Sequence, residues 1–365
     1  MNPTQTNNLP GQGNGEFVPL SKPRLSLSRL AFYFITLAAL GLIYVKFSEI
    51  ELVEGFFVKS NYFWLIGIVV TQVLSYYFIA LNFREVLRMK ELEVSVKELF
   101  PVTFVVQFIN QALPSAGFSG QAFFIQYLRK FGLSVAEGIS RAILELTTLF
   151  MAFGSFFIVS VFLMFRGDVV SKHPETKFLI YLFSLFAIIG LFLFFIFQKK
   201  GRGRIARWTI DKLHNYFENR KKKNGGSDRS KHVAMVFDQL KSSLSLTLLR
   251  KKAREFRLAY FWQVMVFFAN ILSLYFITLA IDFPISFSAS FIAFTLTKFI
   301  SMISFVPGAL GVFEGVMTLI LVTFGMPAEA AFAATLLLRA FTFWLPMPVG
   351  WILYRWILNK QELAN

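Results

Sequence analysis

Four ionisable residues lie inside stretches that are otherwise apolar enough for a bilayer: Glu145, Lys298, Glu314 and Arg339. Each isolated charge costs a few kcal/mol there and marks a functional site by default. Lys298 and Arg339 suit a phosphate-bearing anion, since arginine offers a planar fork and lysine a point charge. Glu314 suits a cation, either one of these two side chains or an amine on a substrate. The alternative is an internal Glu–Arg pair that holds no ligand. Residues 301–346 surround Glu314 and Arg339 and are interrupted by Pro307, Gly308 and Gly311. A simple membrane anchor needs none of these. Non-helical backbone at membrane depth is tolerated only where protein or a water-filled cavity surrounds it. The two glycines would let backbone N–H groups approach an anion.

Other chemistry finds little support. There is no cysteine, and His173, His214 and His232 all fall in polar loops, so neither a thiolate nor a histidine metal site is expected. GFSGQ at 117–121 resembles a nucleophile elbow but lacks its last glycine and has no strand before it. GRGRIA at 201–206 has the form GxGxxA without a preceding strand, and GQGNG at 11–15 is flexible tail. No Walker sequence occurs. The expectation is a protein that is not an enzyme and needs no cofactor or metal.

The elements that hold these residues follow from composition. The chain has 365 residues, 56% hydrophobic, with 47 phenylalanines and a net charge of +16; its mean hydropathy is +0.59. Several apolar windows of about 20 residues make it an all-α polytopic membrane protein. Full spans are expected at 30–45, 62–82, 139–165, 178–197, 258–281 and 329–354, with a disordered tail at 1–29 and a short tail at 359–365. Residues 100–132 and 287–324 read differently. Each has two short apolar arms around a break, formed by Pro114, Gly117 and Gly120 in the first and by Pro307 in the second. Both are read as re-entrant hairpins.

Residues 198–257 hold 18 Lys/Arg against five Asp/Glu. Lys and Arg near span ends set orientation, which puts this loop and both termini in the cytoplasm. Val233, Val236, Phe237, Leu240, Leu244 and Leu248 recur at helical spacing within it. That pattern fits an interfacial helix against anionic lipid or a solvated linker helix resting on the bundle. The domain reading is therefore a first membrane half at 30–197, with a repeat unit at 62–165, the basic loop at 198–257, and a second half at 258–358.

A shift of 193 residues superimposes the halves. Pro114 falls on Pro307, Phe131-Gly132 on Phe324-Gly325, Gln121 on Glu314 and Phe150 on Phe343. The charge rule gives the two units opposite orientations. This is an inverted-topology repeat, the pattern of alternating-access carriers with a site near the midplane. Gln121, with Gln107 and Asn110, either lines the first half of that cavity or bonds across helices. Trp344 is read as packing or lipid-facing.

VPGALGVFEG at 306–315, followed by LLLRAFTFWLP at 336–346, resembles the signature of the lysylphosphatidylglycerol synthase transmembrane-region family. ALPSAGFSG at 112–120 and LRKFGLS at 128–134 resemble its first-half motif. The resemblance covers nearly the whole chain and implies a flippase-like protein that moves phospholipids or polyprenyl-type lipids. The soluble aminoacyl-transfer domain of some members is not expected here. One departure stands out: the family often has Glu-Arg after the first hairpin, where this chain has Glu145-Leu146, and position 146 is the repeat equivalent of Arg339. The resulting expectation is a lipid translocase of a bacterial-type inner membrane. Its partners would be anionic or phosphate-bearing lipids, with no nucleic acid and with homo-oligomerisation open. Its site would comprise Lys298, Glu314, Arg339, Gly308, Gly311, Glu145 and Gln121. The alternative is a membrane scaffold acting through the basic loop.

Overall fold

The computed structural model describes residues 61–113, 118–166, 251–304 and 306–362. The expected spans at 30–45 and 178–197, the tail at 1–29, Pro114 and Gly117, and most of the basic loop lie outside the described residues. Everything described is helix, turn or coil. Four helices are long and apolar enough to cross a membrane: Tyr62–Arg88, Glu137–Arg166, Ala253–Ala280 and Ala328–Asn359. They coincide with the four expected spans that fall inside the described residues. The chain is a multi-pass, all-helical membrane protein.

In order, the elements are α1 (Tyr62–Arg88), α2 (Val96–Ala112), α3 (Phe118–Leu128), α4 (Val135–Arg166), α5 (Ala253–Ala280), α6 (Phe287–Ile303), α7 (Val312–Thr323), α8 (Ala328–Arg339) and α9 (Pro346–Glu362). A π-helical segment, Ala340–Trp344, joins α8 to α9. The paired helices α2/α3 and α6/α7 occupy the two stretches read as hairpins. None of these four reaches the ~20 residues that about 30 Å of hydrocarbon demands: α2 and α6 have 17 each, α3 has 11 and α7 has 12. Ser95 caps α2 by accepting from Glu98 N, and Ser286 caps α6 by accepting from Ala289 N. Helix α5 starts at Ala253, a turn earlier than the expected span, so the last residues of the basic stretch are helical.

The shift of 193 places α1, α2 and α3 on α5, α6 and α7, ends agreeing within two residues, and places α4 on the continuous span Ala328–Asn359 that holds α8, the π-helical segment and most of α9. Gly132 and Gly325, one shift apart, both end a helix in the left-handed region, with φ of 79° and 89°. The equivalent helices α1 and α5 pack side by side and run antiparallel. Asn61 N donates to Ala280 O at 3.0 Å at one end, and the Asn82 side chain donates to Ala259 O at 2.7 Å at the other. Between them Thr71 and Gln72 meet Ser273 at 2.7 Å, and Asn270 donates to Ser75 at 2.9 Å. Polar side chains of this kind join helices where the hydrophobic effect supplies no attraction. The other contacts cross over: α4 of the first unit packs on α6 of the second, and α9 of the second on α2 of the first. Phe153 stacks on Phe299, and Phe156 on Phe291. Gly350 lies against Phe104 and Phe108, where an added Cβ would come within 2.5 Å. Antiparallel equivalents with exchanged contacts are what an inverted repeat requires.

Candidate functional site

The break after α6 builds the site. Gly308 (φ 56°) and Gly311 (φ 79°) adopt conformations that favour glycine, so the chain turns from α6 into α7 within a few residues. That turn puts Glu314 in the first turn of α7, facing back. Its Oε2 accepts from Gly311 N at 2.7 Å, and its Oε1 accepts from Arg339 Nε at 2.6 Å. Arg339, at the end of α8, also donates through Nη2 to the Gly308 carbonyl at 2.7 Å. Its guanidinium lies between two rings, 4.2 Å from the centroid of Phe343 and 4.9 Å from that of Phe313. Glu314 and Arg339 are both buried. The internal Glu314–Arg339 pair, one of the two readings that the residue types allowed, is formed.

The glycines play a different part from the one expected. Gly311 N–H points at Glu314 rather than at an open space for an anion. Gly308 contributes its carbonyl to Arg339. A Cβ on Gly308 would sit 2.5 Å from the Phe343 ring, so the absence of a side chain lets that ring close over the guanidinium.

The first half of the molecule reaches this point through α2. Pro346 has no N–H to offer the Thr342 carbonyl one turn back. That carbonyl accepts from Gln111 Nε2 of α2 at 3.4 Å. The Gln111 carbonyl in turn lies beside Gly308. The end of α2, the turn at Gly308 and the π-helical segment therefore meet at one place. The π-helix also fits a recurrent pattern, since such segments occur frequently at functional sites.

Lys298 stands apart from the pair. It follows a run of buried residues on α6, yet its own side chain is exposed. It is also closely surrounded by protein atoms and within electrostatic reach of Arg339. A side chain that is both open and surrounded lines a concavity. Among the described residues it makes no hydrogen bond or ion pair.

Glu145, on α4, has Gln121 of α3 as its polar neighbour. Gln121 is buried. Its Oε1 and Glu145 Oε2 are both buried without a partner. These two residues occupy, in the first half, the positions of Glu314 and Leu338 in the second. They form a separate acceptor-rich place rather than part of the Glu314–Arg339 cluster. Asn110 closes the first helix pair by accepting from Gly120 N at 2.8 Å. A Cβ on Gly120 would meet Asn110 Oδ1 and Val106 O at 2.5 Å.

Two buried ionisable residues were not singled out from the sequence. Arg141 lies in α4 one turn before Glu145 and is 1% exposed; Glu85, in α1, is also 1% exposed. Arg141 was legible, because it falls within the apolar run 139–165. Glu85 was not, because it looks like one charge among many in a mixed loop, and only the packing of α1 buries it. Its Oε1 takes Arg84 at 2.9 Å and Arg88 at 3.4 Å.

The family model for the lysylphosphatidylglycerol synthase TM region matches residues 27–350. A UPF0104 membrane protein of Methanocaldococcus jannaschii is 24% identical over 323 residues, which is 84% of this chain and 88% of the relative. A UPF0104 membrane protein of Pyrococcus horikoshii is 29% identical over 115 residues, covering 32% of this chain and 33% of that relative. With three of its four apolar spans, most of the fourth and the Glu314–Arg339 turn inside the matched region, this chain belongs to the lysylphosphatidylglycerol synthase transmembrane-region family.

Proposed function

We propose that the protein moves a phosphate-bearing lipid across the membrane, with its headgroup passing Lys298 and Arg339. The observation that carries this reading is Lys298: a lysine among apolar helices, exposed, without a bonding partner among the described residues, and within electrostatic reach of a buried arginine. An uncompensated cation at such depth is unfavourable unless it has a ligand to meet. An anionic headgroup supplies one, while its acyl chains stay among the apolar side chains outside. Lys298 makes first contact as a point charge. Arg339 then exchanges the Glu314 carboxylate for headgroup oxygens, an acceptor of the same geometry. The inverted repeat supports the reading, since two antiparallel units around a midplane site can alternate in exposing it. Supply of a proton, electron or group is not part of the reading, and the residues assembled here offer no nucleophile with a base beside it.

The formed Glu314–Arg339 pair favours a second reading. If the pair never opens, it is a structural clamp between α7 and α8, and the protein serves as a membrane scaffold. Lipid movement in proteoliposomes separates the two. Wild type and Lys298→Met are reconstituted with fluorescent phospholipids and prenyl phosphates. Because Lys298 holds nothing together, Lys298→Met keeps the thermal midpoint of wild type. Loss of movement at unchanged stability supports translocation. Movement that persists in Lys298→Met, or a wild type that moves neither lipid class, supports the scaffold.

A further inference from the structure

The first half of the molecule holds a carboxyl group that its fold leaves half satisfied. Glu145 lies in α4, and Gln121 of α3 is its hydrogen-bonding neighbour. A glutamine meets a carboxylate through its NH2 group, which leaves the amide oxygen over. That oxygen, Oε1, is buried without a partner, and so is Glu145 Oε2. Two neighbouring residues thus each keep one buried acceptor, and no donor of the described residues reaches either. The repeat-equivalent place in the second half differs. Glu314, one shift from Gln121, has a donor on each oxygen, Gly311 N and Arg339 Nε. The equivalent of Arg339 is Leu146, so the first half has no guanidinium to offer there.

No charged side chain of the described residues acts on Glu145. On α4 itself, Arg141 donates to the Leu87 carbonyl at 3.0 Å, and Glu137 accepts from Ser134 N at 2.9 Å. Helix α1 brings Asn82, which donates to Thr148 at 3.2 Å, and Glu85, which Arg84 and Arg88 hold. Helix α5 brings Tyr260, whose hydroxyl meets Ser155 at 2.8 Å, and carries Arg254, Glu255 and Arg257 in its first turns. Helix α6 brings the Phe291 and Phe299 rings, and its Lys298 lies within electrostatic reach of Arg339. Helix α3 has no charged residue. A carboxylate with a buried oxygen and no cation is costly, and such a group takes up a proton instead.

We propose that Glu145 and Gln121 form a proton-binding site, in which Glu145 is a neutral acid whose O–H donates to Gln121 Oε1. One proton answers both unpartnered oxygens, while the NH2 group of Gln121 keeps its bond to the other carboxylate oxygen. An acid and a primary amide joined twice in this way hold α3 against α4. A proton needs no cavity, and Glu145 is partly exposed, so the site can be loaded. Loss of the proton leaves an uncompensated charge and turns two acceptors against each other, which loosens the contact. The site makes α3, one arm of the first helix pair, respond to the pH on the side from which Glu145 is reached. The proposal does not depend on lipid movement.

The test uses the full chain in a maltoside detergent, which contributes no carbonyl band. Infrared spectra of wild type, Glu145→Gln and Gln121→Leu are taken at neutral pH in H2O and in D2O. The expected result is a carboxylic-acid C=O band that shifts in D2O, is lost in Glu145→Gln and is displaced in Gln121→Leu, where the O–H has lost its acceptor. Thermal midpoints are read in parallel from mildly acidic to alkaline buffer. The folded chain holds a proton that an unfolded glutamate gives up at neutral pH, so wild type loses stability as pH rises. In Glu145→Gln two amides make the same pair of bonds at every pH, so its midpoint falls less over that range. Sodium chloride is exchanged for choline chloride to separate the proton from a metal cation. Three results overturn the proposal: no acid band at neutral pH that depends on Glu145, a band that Gln121→Leu leaves in place, or a wild-type midpoint that rises with sodium but not with choline. If Gln121→Leu fails to fold, the pH slopes of wild type and Glu145→Gln decide the matter, and parallel slopes overturn it.

Discussion

Replacing Glu314 by glutamine is the sharpest test of the turn at Gly308. The side chain keeps its length, so the change is one of charge and donor pattern alone. Glu314 uses each oxygen for a different donor: Oε1 for Arg339 Nε at 2.6 Å and Oε2 for Gly311 N at 2.7 Å. A carboxamide has a single oxygen. Whichever way it turns, its NH2 group faces one of two N–H donors that have lost their acceptor. In addition the guanidinium, 5% exposed, loses its counter-charge. Removing one partner of a buried pair costs about 3–5 kcal/mol, against roughly 1 kcal/mol for an exposed one. For domains of 150–250 residues each kcal/mol moves the thermal midpoint by about 2–4 °C, so Glu314→Gln is expected to lower it by roughly 6–20 °C in detergent. The companion variant is Glu314→Gln combined with Arg339→Met, which removes both charges. It should recover most of the loss, because replacing a whole buried pair by apolar groups is often close to neutral. Differential scanning fluorimetry of the single and double variants gives the coupling. If Glu314→Gln melts within about 1 kcal/mol of wild type, or if the double variant is as unstable as the sum of its singles, the pair does not hold the turn and the reasoning fails.

Gly308→Ala is expected to destabilise by about 2 kcal/mol or more, from a left-handed φ of 56° and a Cβ 2.5 Å from the Phe343 ring; combination with Phe343→Leu should return the steric part only, as read by chemical denaturation. Gly120→Ala places a methyl 2.5 Å from Asn110 Oδ1 and Val106 O, so it should splay α2 from α3, and faster proteolysis or amide exchange in 96–128 would show it, whereas an unchanged pattern would mean the close approach is not required. Burial first, and then the Arg141 charge, depress the Lys90 pKa, against a smaller pull from Glu137. A depressed lysine costs stability while it is protonated in the folded state. That cost is relieved as pH rises from the folded pKa toward the ordinary lysine value. Wild type should therefore gain stability relative to Lys90→Gln across the alkaline window just below the usual lysine range; parallel curves there would place Lys90 in ordinary solvent.

Much of the architecture was legible because membrane insertion writes itself into composition. Spans need long apolar runs, so the four that fall in the described residues could be read directly. The break at Pro307 was legible too, because proline and glycine interrupt helices for reasons local to the backbone. The repeat was detectable through spacing, with Pro114 and Pro307 one shift apart and Gly132 and Gly325 likewise. The pairing of Glu314 with Arg339 was one of two readings that the residue types allowed. Nothing in the residue types chose between an internal partner and a substrate amine, since both answer the same charge.

Sequence alone thus determined an all-helical membrane protein of two related halves, and it marked Glu314, Arg339 and Lys298 as costly places to put charge. Those properties follow from short-range patterns that act on each segment separately. Tertiary structure alone decided which groups satisfy each other: that Gly311 N–H turns to Glu314, that Gly308 makes room for Phe343, that Gln111 reaches Thr342 from the other half, and that Lys298 makes no bond to any of the described residues. It also decided that Arg141 lies fully buried beside Lys90 with donors to spare. Each of these depends on the relative placement of segments far apart in the chain. A hydrogen bond is settled by tenths of an ångström and tens of degrees, a precision that spacing along the sequence does not carry.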